Sequence, residues 1–312
     1  MNARAVILER PERLQLSDVA LSARQDDEVL VRVAFSGIST GTEKLLWSGR
    51  MPPFPGMGYP LVPGYEAVGD VIEAGAGAGV SVGQTVFVPG STGFENVKGL
   101  FGASASHLVV PGRRVLPVDN GCGADTVLLA LAATAHHAVE SLGGVLPELI
   151  VGHGVLGRLI ARLCCLRGGA PTVWEREPQR RIGDTGYLVI DAEEDPRRDY
   201  MSICDVTGDA DIIDRLVTRL APGGEIVLAG FYDRRVSFAF PAAFMKEARI
   251  RIAAEWRPGD LAAVGRLVEE GSLSLAGLVT HRSRPEVAED AYGTAFTDPA
   301  CLKMILDWRS PA

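Results

Sequence analysis

The sequence predicts an α/β fold in which a doubly wound parallel sheet is joined to a smaller β-domain. Three observations carry this expectation. Leu149–Arg162 reads as a short buried strand, a glycine turn and an apolar-faced helix. After it, short apolar strands alternate with helical segments, the pattern of a parallel sheet. Before it, residues 1–118 are rich in Gly and Pro and hold short alternating segments, the pattern of a small, partly closed β-domain.

The glycine turn has the spacing G-x-G-x-x-G at Gly152, Gly154 and Gly157, with His153, Val155 and Leu156 between them. Gly152 makes the turn, Gly154 lets the backbone approach a pyrophosphate, and Gly157 lets helix and strand pack closely. The helix N-terminus then presents its free N–H groups to the phosphates. Ordinary strand–helix turns share this spacing, so context matters. A second strand, Thr172–Trp174, ends in Glu175, 18 residues after Gly157. A carboxylate there accepts hydrogen bonds from the adenosine ribose hydroxyls and repels the additional phosphate of NADP, which predicts NAD. The neighbouring Arg176 works against this inference, since a rotated Arg meets a phosphate; its other reading is a solvated loop charge. Thr207 follows the strand Ile203–Val206 at the sheet's carboxyl edge, where a dinucleotide crosses; a plain strand-end turn explains it equally well.

Length and composition bound the rest. The 312 residues suffice for two domains with cores, and 47% hydrophobic with 22% charged residues is globular. A net charge of −8, with Arg pairs scattered along the chain, excludes a nucleic-acid surface. No apolar run reaches the roughly 18 residues of a membrane span, and the N-terminal apolar run is too short for a signal peptide. Five cysteines without a C-x-x-C pair point to a reducing cytoplasm. A homodimer is compatible with these features.

In chain order, Val29, Val31, Val33 and Phe35 alternate with Leu30, Arg32 and Ala34, predicting a half-buried strand. Ala67–Glu73, Thr85–Pro89 and His107–Val110 read as further strands. Leu45–Pro63 holds Trp47, Met51, Phe54, Met57 and Tyr59 among five prolines and cannot be a long helix. It is either packed loop filling or the lining of an apolar pocket. Ala124–Leu142 reads as helix, ended by Gly143-Gly144. Strands recur at Leu188–Ile190, Ile203–Val206, Glu225–Ala229 and Ile250–Ala254, with a helix at Ala210–Leu220 ended by Pro222-Gly223-Gly224. Helices near Pro258–Glu270 and Pro285–Phe296, the segment Leu278–Arg282 and a closing strand Lys303–Trp308 complete the chain.

An ordered set of motifs then stands out: Pro63-Gly64-Tyr65-Glu66-Ala67-Val68-Gly69-Asp70-Val71, Val82-Gly83-Gln84-Thr85-Val86, Thr134-Ala135-His136-His137-Ala138, the glycine turn, Leu278-Val279-Thr280-His281-Arg282 and Lys303-Met304-Ile305. Over essentially the whole chain this set resembles the medium-chain dehydrogenase/reductase family. The resemblance implies a GroES-like substrate domain over residues 1–120, completed by 272–312, and a Rossmann domain over 121–271. Within that family, residues 36–59, 133–138, 152–157 and 302–308 resemble dehydrogenases of bacteriochlorophyll synthesis. This implies NAD-linked oxidation of the hydroxyethyl side chain of a (bacterio)chlorophyllide, a tetrapyrrole, to an acetyl group. The substrate comes from the resemblance and not from composition or spacing.

Many alcohol dehydrogenases of this family hold a catalytic zinc on a Cys, a His and a third Cys or acidic residue. Here Ser39 stands at the first ligand position, Tyr65 at the second, and the third falls near Ala130. A serine hydroxyl and a phenol are poor zinc ligands. No Cys precedes Cys122, so the four-cysteine structural zinc lobe is absent as well. His136 and His137 are neighbours on a helix, about 100° apart, and do not easily face one ion together. No metal is therefore expected.

Alcohol oxidation still needs an acceptor for the hydroxyl proton. Tyr65 and Glu66, at the position of the family's metal shell, Lys44, near its proton-relay position, and His136 are the candidates. Each has a plainer reading: Tyr65 filling the empty metal site, Glu66 pairing with a cation, Lys44 solvated, His136 a core histidine on a backbone carbonyl. Thr134 matches a position beside the nicotinamide, or is a helix hydroxyl bonded to its own backbone. Ser39, Trp47, Phe54, Met57 and Tyr59 are the candidate substrate pocket. The leading expectation is a zinc-independent, NAD-linked secondary-alcohol dehydrogenase. Its rivals are an NAD(P)H-dependent enone or quinone reductase and a non-catalytic NAD(H)-binding sensor.

Overall fold

A computed structural model describes residues 1–53, 55–119, 123–140, 145–183 and 185–309. The chain divides into two units, Met1–Ala130 with Leu275–Ala312, and Leu131–Ser274.

In the second unit Leu149–Val151 is a strand buried at every residue, as an interior parallel strand with two covered faces requires. Six parallel strands lie side by side in the order Leu188–Ile190, Thr172–Trp174, Leu149–Val151, Tyr200–Asp205, Leu220–Leu228 and Arg249–Ile252. Chain order therefore reverses direction at Leu149–Val151, the switch point at whose carboxyl end such sheets bind ligands. Leu149, Val151, Ile203, Leu216 and Ile226 fill the core of this unit.

Two element boundaries differ from expectation. The helix expected over Ala210–Leu220 is Ile213–Arg219, and Leu220 already opens the next strand. Pro222-Gly223-Gly224 does not end a helix. It lies in an irregular stretch of that strand, between the pairs Tyr200–Leu220 and Ser202–Glu225, where Gly223 takes φ +75°. The segment expected as helix from Ala124 starts as a 3-10 turn, Ala124–Leu128, and continues as α-helix over Leu129–Glu140. Its expected end at residues 141–144 lies outside the described residues.

In the first unit Glu28–Ile38 is the central strand. It pairs antiparallel with Ala67–Ala74, His107–Pro111 and Met304–Asp307. The expectation of a half-buried strand is corrected here. Leu30 is as buried as Val29 and Val31, and Arg32 alone of the strand is exposed, because core side chains cover both faces. A hairpin of Asn2–Arg10 and Arg13–Ala20, not singled out in the sequence, forms a smaller sheet with Leu61–Val62 and Lys98–Gly99. The helix Ala288–Thr297 sets Tyr292 and Phe296 into one cluster with Val6, Leu8, Leu46 and Met51, so the end of the chain packs into the unit that begins it.

Candidate active site and dinucleotide turn

In the second unit, the glycine turn is built as its spacing predicts. Gly152 takes φ +105°, open to glycine at little cost. A Cβ on Gly157 would lie 1.8 Å from the Gly152 carbonyl oxygen, so only glycine fits there. A Cβ on Gly154 would meet nothing within 4 Å among the described residues. The helix that follows, Val155–Leu166, has no side-chain cap at Gly154, and its first N–H groups are left for a ligand. Open space at Gly154 and uncapped donors beside it fit a dinucleotide pyrophosphate.

Glu175 is buried where its strand ends. The His153 N–H donates to Oε2 at 2.9 Å and the Glu177 N–H to Oε1 at 2.9 Å. Both oxygens are thus fixed, and each keeps a further lone pair as an acceptor. Arg176 is 90% exposed at its side chain and leans toward Glu177. The His153 ring, by contrast, turns inward. It lies between the Arg180 carbonyl (2.7 Å) and the Tyr187 hydroxyl (2.9 Å), and burial followed by Arg158 pushes its pKa down to about 4. The neutral ring protonated at Nδ1 satisfies both partners. Thr207 donates its hydroxyl to Asp205 at 2.9 Å and accepts the Asp209 N–H. Asp205, which sequence reading missed, is fully buried and also takes the Tyr232 hydroxyl; burial raises its pKa to about 6. Val155 is buried, and Leu156 and Thr134 are half-buried.

His136 and His137 do meet one group, although an ion was not expected to hold both. Asp260 receives His136 Nδ1 on one carboxylate oxygen (2.7 Å) and His137 Nδ1 on the other (3.0 Å). It also accepts the Arg257 N–H at 2.8 Å, capping the helix Pro258–Glu269. The two oxygens of one carboxylate span what a single ion does not. His136 therefore packs onto a carboxylate, not onto the backbone carbonyl of its plainer reading.

In the first unit, a buried polar cluster gathers where Glu28–Ile38 ends. Tyr65 donates its hydroxyl to Ser39 Oγ at 2.9 Å. Ser39 donates its N–H to Glu43 Oε1 at 2.9 Å, and Tyr292 donates its hydroxyl to Glu43 Oε2 at 2.6 Å. Glu66 pairs with Lys303, Oε2 to Nζ 2.7 Å, with both side chains almost fully buried. Glu66 Oε1 has no hydrogen-bond partner among the described residues. Gly37 makes this fit, since a Cβ there would lie 2.2 Å from Glu66 Oε2.

Burial, the largest cause, raises Glu43 to about 7 against hydrogen bonds from Tyr292 and Ser39 that lower it. Burial also raises Glu66, opposed by Lys303, and raises Tyr65, with Glu66 adding to the effect. Tyr65 itself is half-buried, while Ser39 and Glu43 lie behind it at 5% and 1% exposure. Glu43, Lys303 and Tyr292 were not singled out as site residues in the sequence.

Lys44 is not solvated: its ammonium donates to the Phe296 carbonyl at 2.8 Å, in the last turn of Ala288–Thr297. Trp47 packs on the Phe296 ring at 5.7 Å, and Tyr59 donates to the Leu46 carbonyl at 2.5 Å. Trp47, Met57 and Tyr59 are half-buried against the same apolar cluster. Phe54 lies outside the described residues.

A catalytic zinc does not fit these residues. Ser39 and Tyr65 share one hydrogen bond at the family's ligand positions, and no group of three or more His, Cys, Asp or Glu among the described residues is placed to hold a metal.

Comparison with known proteins follows the same lines. The alcohol dehydrogenase GroES-like domain matches residues 25–120. A 2-desacetyl-2-hydroxyethyl bacteriochlorophyllide A dehydrogenase of Cereibacter sphaeroides is 55% identical, with 100% of each chain covered. The protein of that name from Rhodobacter capsulatus is 53% identical, with 99% of each covered. An alcohol dehydrogenase from E. coli CFT073, solved with NADH, superposes with a TM-score of 0.83 at 20% identity, covering 98% of this chain and 99% of that one. The chain is thus an oxidoreductase that belongs to the medium-chain dehydrogenase/reductase family, in the group of the two bacteriochlorophyllide dehydrogenases.

Proposed function

We propose that this protein oxidises the hydroxyethyl side chain of a bacteriochlorophyllide-type tetrapyrrole to an acetyl group, with NAD and without zinc. The observation that carries the reading is identity of 55% and 53%, over the full length, to two enzymes named for that substrate. The turn Gly152–Gly157 and the uncapped helix behind it would hold the pyrophosphate, and Glu175 the ribose hydroxyls. When bound, NAD supplies the hydride acceptor. A carboxylate fixed at the ribose position, with the neighbouring Arg176 guanidinium in solvent, favours NAD over NADP.

The chain's own part is to manage the hydroxyl proton. Tyr65 donates inward to Ser39 and has a further side-chain hydrogen bond with Thr42, so its oxygen keeps a lone pair for a hydroxyl of the substrate. Buried Glu66 and Lys303 compensate each other and hold the floor of the cluster. The half-buried Trp47, Met57 and Tyr59 offer apolar area to a planar macrocycle, at about 2.5 kcal/mol per 100 Å2 covered before binding costs. A homodimer belongs to this reading too. The sheet ends at Arg249–Ile252, and Ile252, Phe240, Phe244 and Met245 nearby in the chain are each more than 60% exposed.

Incubation of the pure protein with NAD and a hydroxyethyl chlorin tests the activity. The expected result is the acetyl product with one NADH formed for each. NAD binding without turnover, or turnover only of an enone or quinone with NAD(P)H, would overturn it.

A further inference from the structure

Glu43 is an ionisable group of the first unit's cluster that no expectation assigned, and its surroundings are specific. It sits in the short helix Thr42–Trp47 at 1% exposure, among Leu45 and Leu46. Each of its carboxylate oxygens takes one donor from a different part of the chain: the Ser39 N–H, from the end of the central strand, and the Tyr292 O–H, from the C-terminal helix. The charged and titratable groups acting on it are Glu66, Lys303, Tyr65 and Tyr292. The ammonium of its neighbour Lys44 is bonded to the Phe296 carbonyl. A helix-surface glutamate needs none of this, and a buried carboxylate is retained at a cost unless it does something.

We propose that Glu43 is a positioning residue for alcohol oxidation: as a carboxylate it locks Ser39 in place, and through Ser39 it sets the Tyr65 hydroxyl to accept a hydrogen bond from the alcohol. The inference rests on the oxidation proposed above. An anion accepts at both oxygens, whereas the acid form must donate from one of them. Protonation on the Tyr292 side reverses that hydroxyl's bond and leaves the Ser39 N–H on a neutral oxygen, a bond about half as strong, which loosens the Ser39 backbone. With Ser39 fixed, its Oγ holds the Tyr65 O–H pointing inward, which leaves a lone pair of the Tyr65 oxygen for the substrate. Tyr65 is half-buried and Ser39 and Glu43 are buried, so the order from substrate to charge is Tyr65, Ser39, Glu43. Because the Glu43 pKa is raised to about 7, this device switches within the working range of pH.

The test measures kcat and KM against pH for NAD-linked oxidation of a hydroxyethyl chlorin, with thermal melts of every variant. Wild type should show an acid limb in kcat, with full rate above a midpoint near 7 and loss below it. Glu43→Gln should abolish that limb and lower kcat on the order of 100-fold with KM little changed, as a misplaced catalytic group does. Glu43→Asp should restore part of the rate together with the limb. Tyr292→Phe should move the midpoint upward, since the Tyr292 hydrogen bond lowers the Glu43 pKa. If Glu43→Gln fails to fold, the Tyr292→Phe midpoint decides, and an unmoved midpoint overturns the proposal. A limb that persists unchanged in Glu43→Gln overturns it while leaving the proposed oxidation standing. Absence of any chlorin turnover by wild type overturns both.

Discussion

At the scale of single residues, charge placement governs what this chain does and what it costs. Glu175 holds two backbone N–H groups, and in the proposed reading its remaining lone pairs serve a ribose. Glu175→Ala should weaken NAD binding by about 1.5–3 kcal/mol, the worth of hydrogen bonds to a charged group, and should narrow the preference over NADP. Isothermal titration with each dinucleotide checks this, and unchanged NAD affinity would remove Glu175 from the cofactor site. Glu43 makes a different prediction, about stability. Its folded pKa is raised from 4.5 to about 7, so the native state holds a proton that the unfolded chain has released. Stability from this group is complete below the unfolded value and is lost as pH rises through 7. The loss amounts to about 3 kcal/mol. Urea unfolding at pH 5.5 and pH 8 should therefore show Glu43→Gln gaining on wild type at the higher pH; a difference independent of pH would contradict the buried charge.

At the scale of elements, legibility followed sequence distance. The glycine turn is local, and its spacing was enough, because the Gly157 constraint is set five residues away by the Gly152 carbonyl. The placement of Glu175, buried at the end of the next strand, was legible for the same reason. The polar cluster was legible only in part. Tyr65 and Glu66 stood in a motif, but Lys303 lies 237 positions from Glu66 and Tyr292 lies 249 from Glu43. No spacing rule links such partners; strand pairing of Met304–Asp307 with Phe35–Ile38 and the packing of Ala288–Thr297 bring them together. Glu43 reads in sequence as an ordinary first-turn acid, and Lys44 as a surface lysine. Gly154 and Gly157 offer a paired test of the turn. Gly154→Ala meets open space and should melt with wild type, while its methyl occupies the phosphate approach and weakens NAD binding. Gly157→Ala puts a methyl against backbone and should lower the melting temperature as well. Equal NAD affinity for Gly154→Ala and wild type would contradict the turn's proposed use.

At the scale of the whole molecule, the open sheet edge and the missing metal ligands make the two remaining claims. An edge strand flanked by exposed Phe240, Phe244, Met245 and Ile252 is a surface that a second copy would cover. Analytical ultracentrifugation should show twice the 33.2 kDa chain mass for wild type and the single mass for Phe244→Glu with Ile252→Lys. A monomeric wild type would contradict this. The central claim is that a hydroxyl and carboxylate cluster, in place of a zinc ion, serves the oxidation of a hydroxyethyl tetrapyrrole. Its most direct test is NAD-linked oxidation of a hydroxyethyl chlorin by protein that has been dialysed against a chelator and assayed for metals by elemental analysis. The account predicts full turnover by protein free of stoichiometric zinc; one tightly held zinc per chain, lost together with activity, would contradict it.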